Sequence, residues 1–121
     1  TPLILAASLG QDDIVHLLLR SHADVHHTTS DAETALHHAA LRGHARIASA
    51  LLAKHAVVDA RKSDDVTPLM YACWEGHLEC VRVLVSHGAN VTLSDSLDWT
   101  PLFFAVCEHQ SEIVRLLLQT P

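Results

Sequence analysis

The chain has 121 residues, enough for one domain with one continuous core, and 49% of them are apolar, which favours a folded chain over a disordered one. Its formal charge of −6 argues against a protein that tracks nucleic-acid phosphates, because such proteins show a basic face. No apolar run approaches the ~20 residues needed to span a bilayer.

The chain opens on Thr1-Pro2-Leu3, and the same step recurs at Thr34-Ala35-Leu36, Thr67-Pro68-Leu69 and Thr100-Pro101-Leu102. The register holds between these points. Ala follows each Thr by five residues (Ala6, Ala39, Ala72, Ala105), and Leu by seventeen (Leu18, Leu51, Leu84, Leu117). Gly10, Gly43 and Gly76 share a column in which the fourth unit has His109. The period divides the chain into units 1–33, 34–66 and 67–99 and a partial unit 100–121, within one domain.

Each unit reads as two short helices. Thr is a good N-cap, and Pro suits the first helical turn. In the second unit the first helix runs from about Ala35 to Arg42, and Gly43 stops it in left-handed geometry. A second helix runs from about Ala45 to Lys54, with Ile47, Ala48, Leu51 and Leu52 on one apolar face. A polar stretch, residues 28–33, turns the chain toward the next Thr. One such pair cannot bury its own apolar face, whereas stacked pairs can.

With this chemistry the chain resembles the ankyrin family over essentially its whole length. The nearest matches are residues 34–44 (TALHHAALRGH) and 67–77 (TPLMYACWEGH), with HGANV at 87–91. The resemblance implies an all-α ankyrin-repeat solenoid with β-turn fingers, and a protein–protein interaction scaffold. The family usually has Gly two residues before the Thr, where this chain has Ala32, Asp65 and Asp98. Ala tolerates left-handed geometry poorly, so the finger before the second unit is expected to turn differently. His109 is expected to change the exit of the fourth unit's first helix. The apolar character of the first and last units suggests a segment of a longer array.

Eleven histidines raise the question of metal or acid–base chemistry. By resemblance, His37 hydrogen-bonds between neighbouring repeats, and His44 and His77 are structural. His22, His55 and His87 end second helices, where a cation suits the helix dipole. Zinc sites use paired ligands, such as two His a turn apart or Cys-x2-Cys, and no such set is complete. His26 with His27 is the one place where a zinc titration would be informative. No phosphate loop, nucleophile elbow or His-Glu-x-x-His is present. The acids Asp31, Glu33, Asp64, Asp65, Asp95 and Asp98 recur in turns. A non-enzyme without cofactor or metal is therefore expected. The three cysteines, Cys73, Cys80 and Cys107, form no Cys-x2-Cys pair and read as reduced thiols of a cytoplasmic or nuclear protein.

By resemblance, a partner meets the finger tips and the exposed side of each first helix. These columns vary between units, whereas the scaffold columns keep Leu, Ala or Val. They place Leu41 and Arg42 in the second unit, and Asp64, Val66, Trp74 and Glu75 in the finger before the third unit and in that unit's first helix. Leu97, Trp99, Cys107 and Glu108 follow at the fourth unit. Ser8, Leu9, Ser30, Asp31, Glu33, Ser63 and Ser96 share these columns. Trp74 and Trp99 are expected to be neighbours across a repeat boundary, forming an aromatic hot spot ringed by acids. The partner would carry basic residues around an apolar anchor. The chain itself would be monomeric within a longer repeat array, with no nucleic acid and no membrane. The alternative is a targeting or regulatory arm of a larger enzyme, such as a kinase or a ubiquitin-ligase component.

Overall fold

Each repeated threonine starts a helix. The Thr1, Thr34, Thr67 and Thr100 hydroxyls accept the N–H of the residue three further on, at 3.1–3.3 Å. One orphan donor at each helix start is thus satisfied. In the computed structural model, which describes residues 1–121, eight helices follow in order. They are α1 (Pro2–Leu9), α2 (Asp12–Arg20), α3 (Ala35–Arg42), α4 (Ala45–Ala53), α5 (Pro68–Glu75), α6 (Leu78–Ser86), α7 (Pro101–Cys107) and α8 (Ser111–Gln119). There is no strand. The odd-numbered helices stack on one another as one layer and the even-numbered helices as a second. None is long and apolar enough to cross a membrane.

The core lies between the layers. Ala39, Ala40, Ala72, Cys73 and Ala105 are fully buried and let the first helices approach closely. Ile47, Leu51, Val81, Leu84 and Ile113 close the core from the second helices. Ile14 shares a column with buried Ile47, Cys80 and Ile113, but on the outer face of α2 it is exposed.

The tight exits of α1, α3 and α5 use Gly10, Gly43 and Gly76 at φ 73°, 79° and 75°. At Gly43 space is a second constraint, because a Cβ there would lie 2.6 Å from His77 Nδ1. The fourth unit departs in helix length, as expected: α7 ends at Cys107, one residue short of the column where α1, α3 and α5 end, yet the left-handed turn itself is kept. His109 takes φ 56°, and the Gln110 N–H returns to the Ala105 carbonyl at 2.9 Å, as the His44 N–H does to Ala39. The backbone hydrogen bond overrides the side-chain preference.

The finger before the second unit likewise turns as the others do. Ala32 holds φ 64°, beside 67° at Asp65 and 63° at Asp98. In each finger one hydrogen bond closes the turn and a second ties its base: Ala32 N–H to the Thr29 carbonyl, and Thr29 N–H to the Glu33 carbonyl, both at 2.9 Å. Neighbouring fingers are joined by Ser63 N–H to the Asp31 carbonyl and Ser96 N–H to the Asp64 carbonyl. A different turn at Ala32 would break this ribbon, so the alanine accepts the strain.

Candidate functional site

His37, His44 and His77 are structural groups in this fold. His37 is fully buried. Its Nδ1 accepts the Thr34 N–H at 3.1 Å, so the proton sits on Nε2, which donates to the Val66 carbonyl at 2.9 Å. One neutral imidazole thus completes its own helix cap and fastens the next finger. Burial lowers its pKa below the ordinary 6.5, against the opposing pull of the Val66 carbonyl. His44 Nε2 reaches the Ser8 carbonyl at 3.3 Å, and His77 Nε2 the Leu41 carbonyl at 3.0 Å. His26 and His27 are exposed, and nowhere do three or more His, Cys, Asp or Glu side chains converge to hold a metal ion.

Aromatic residues gather at the boundary of the third and fourth units. Trp74, on the seventh residue of α5, is 38% exposed. Its ring meets Phe104 edge-on at 5.3 Å. Trp99, at the base of the last finger, is half-buried; it lies 4.6 Å from Phe103 and 5.6 Å from Phe104. The buried Phe104 ring therefore links the two tryptophans. Asp95 fixes the finger that carries Trp99, its Oδ1 accepting the N–H groups of Leu97 and Trp99 at 2.9 Å. Such edge-to-face contacts add about 0.5–1.5 kcal/mol each beyond area burial.

Val66 is the exception among the expected surface residues: it is buried. The column just before each Thr closes the base of the finger, so its side chain turns inward toward the first-helix layer. Glu33 and Trp99 share that column and are half-buried for the same reason. Val66 instead forms a wall of an apolar hollow of about 140 Å³, with Met70, Tyr71, Trp74 and Phe104. Arg42, Glu75, Leu97, Cys107 and Glu108 are exposed, and Leu41 is half-buried.

One edge of the hollow is acidic. The Tyr71 hydroxyl donates to Glu33 Oε2 at 2.9 Å. Burial raises the phenol's pKa strongly, and the hydrogen bond to Glu33 and the charges of Glu33, Asp64 and Asp31 raise it further. The nearest cation, Lys62, donates to Asp64 Oδ1 at 3.0 Å. Partial burial alone would raise the Asp64 carboxyl, but Lys62 outweighs it and holds the group below its ordinary 3.8. His38 Nε2 lies 3.7 Å from Glu33 Oε1, buried and without a hydrogen bond.

Phe103, Phe104, Met70 and Tyr71 did not stand out in the sequence as parts of a surface. Their columns, three and four residues after the Thr, vary between units as freely as the surface columns do: Ile4, His37, Met70, Phe103 and Leu5, His38, Tyr71, Phe104. That variability was the available signal.

A family model of ankyrin repeats in three copies matches residues 3–95, and a single ankyrin-repeat model matches residues 97–120. The chain belongs to the ankyrin-repeat family. No curated protein matches it. Ankyrin repeats are generally protein–protein interaction modules and are typically non-catalytic. In this ankyrin chain, the variable first-helix and finger columns meet at the Trp74–Phe104 hollow.

Proposed function

We propose that this ankyrin chain binds a protein partner on the concave face, with Trp74 at the centre of the contact. The observation that carries this reading is the open aromatic cluster of Trp74, Trp99, Phe103 and Phe104 beside the apolar hollow. Partly exposed aromatics next to a pocket are where binding energy concentrates, and charged rims set orientation and encounter rate. Asp31, Asp64, Glu75 and Glu108 supply an acidic rim, which favours a partner with basic residues around an apolar anchor. The scaffold role needs no cofactor and no catalytic group. Two buried and one exposed free thiol suit a reducing compartment, the cytoplasm or the nucleus.

The two tryptophans have different roles in this reading. Trp74 has room to give a partner, whereas Trp99 packs against two phenylalanines and supports the platform. Capture from cell lysate with the wild-type chain and with Trp74→Ala tests the function. A partner retained by the wild type and lost by Trp74→Ala, with the variant shown to be folded by circular dichroism at the capture temperature, supports it. A partner set unchanged by Trp74→Ala refutes it.

A further inference from the structure

We propose that the hollow at the third unit takes one bulky apolar side chain of an extended partner segment, and that Asp31, Glu33 and Asp64 take a Lys or Arg two residues along that segment. This rests on the reading that Trp74 centres the binding face, and it names the chemistry of the partner.

Size sets the first half. The hollow is about 140 Å³ and apolar on every side: Val66, Met70, Tyr71, Trp74 and Phe104. An apolar cavity of about 150 Å³ holds one benzene-sized molecule. The occupant is therefore a single Leu, Met or Phe side chain, and it must reach in from outside because the hollow is open to the surface.

Charge sets the second half. Tyr71 acts as a ruler from the apolar to the acidic part: its ring lines the hollow and its hydroxyl touches Glu33. Asp31 and Asp64 act on the same hydroxyl through their charge. The Asp31 carbonyl accepts the Ser63 N–H at 2.9 Å, which holds the two acidic fingers side by side. Lys62 meets Asp64 through one of its two oxygens at 3.0 Å, and no cation pairs with Asp31, so both exposed acids can still receive a partner's charge.

Spacing joins the halves. An extended segment repeats side chains on one face every two residues, about 6.6 Å apart. That step is comparable to the span from the Tyr71 ring, through its hydroxyl and across the 2.9 Å hydrogen bond, to Glu33 Oε2. The segment therefore reads apolar-x-Lys/Arg.

The test is a selection of random twelve-residue peptides on the 121-residue chain, followed by titration of the enriched peptides by fluorescence anisotropy. The expected result is enrichment of a large apolar residue two positions from Lys or Arg. Replacing that apolar residue by Ala should weaken binding by about thirtyfold, as for truncation of an anchor. The exposed pair Asp31→Asn with Asp64→Asn should weaken it by about fivefold, and only for peptides carrying the cation. Circular dichroism melts of both protein variants confirm that each is folded.

Enriched peptides that lose affinity with Trp74→Ala but lack the apolar-x-cation pair overturn this inference and leave the binding face intact. A spacing of three or four residues means a helical partner and also overturns it. Peptides indifferent to Trp74→Ala, or no enrichment at all, overturn both the inference and the reading beneath it.

Discussion

Ala32→Gly should stabilise this protein although it removes a side chain. Ala32 sits at φ 64° in its finger turn. For an L-residue the left-handed region costs roughly 1–2 kcal/mol. Glycine removes that cost but gives up about 0.5–1 kcal/mol of chain entropy on folding. The half-buried methyl group of Ala32 is worth at most about 0.4 kcal/mol, half the value of a fully buried methylene. The balance is a gain of roughly 0.5 kcal/mol, or about 2 °C in melting temperature for a domain of this size. Asp65 and Asp98 hold the same turn at φ 67° and 63° and serve as internal controls. Aspartate tolerates this geometry better, so Asp65→Gly and Asp98→Gly should gain little. Thermal melts followed by far-UV circular dichroism read all three variants. The reasoning fails if Ala32→Gly lowers the melting temperature, or raises it no more than Asp98→Gly does.

Two further outcomes follow from buried groups. His37 has a folded-state pKa below its ordinary 6.5, so at acid pH the unfolded chain binds the extra proton. Its contribution is present above about pH 6.5 and is lost as pH falls through the lower folded-state value. Replacing it by Met, the residue at the same column in the third unit, should flatten urea-melt stability between about pH 6.5 and 5; an unchanged slope would remove His37 as its source. Burial pushes the Cys73 thiol up to about 12 and the Cys80 thiol up to about 11, whereas Cys107 is exposed. A disulfide reagent should therefore titrate one of the three thiols quickly in the native chain and the other two only on unfolding. Three fast equivalents would contradict the packing of α5 on α6.

Much of this architecture is legible in the sequence because the chain repeats its own controls. Thr34 can be read as a cap since Thr1, Thr67 and Thr100 stand in the same column. The left-handed exits at Gly10, Gly43 and Gly76 are legible for the same reason. The error comes where backbone bonding outweighs side-chain preference. Ala32 is a poor residue for positive φ, yet the finger ribbon holds it there, whereas at His109 the expected change shows as the early end of α7.

The site was legible only in part, because variability marks a column as unneeded for the shared scaffold and not as exposed. Val66 varies and is buried, since the finger base points inward. Phe104 also varies and is buried, and it is the ring that connects Trp74 to Trp99. A contact that crosses a repeat boundary depends on two different columns at once, and periodicity read one column at a time does not reveal it.

The most direct test is the affinity of the captured partner for Trp74→Ala, measured by calorimetry beside the variant's melting temperature. Binding should weaken by about thirtyfold, near 2 kcal/mol. Losing the partly buried ring together with its edge contact to Phe104 should cost roughly 2–4 kcal/mol of stability, so affinity is read at a temperature where circular dichroism shows the variant folded. An affinity equal to that of the wild type would contradict the account.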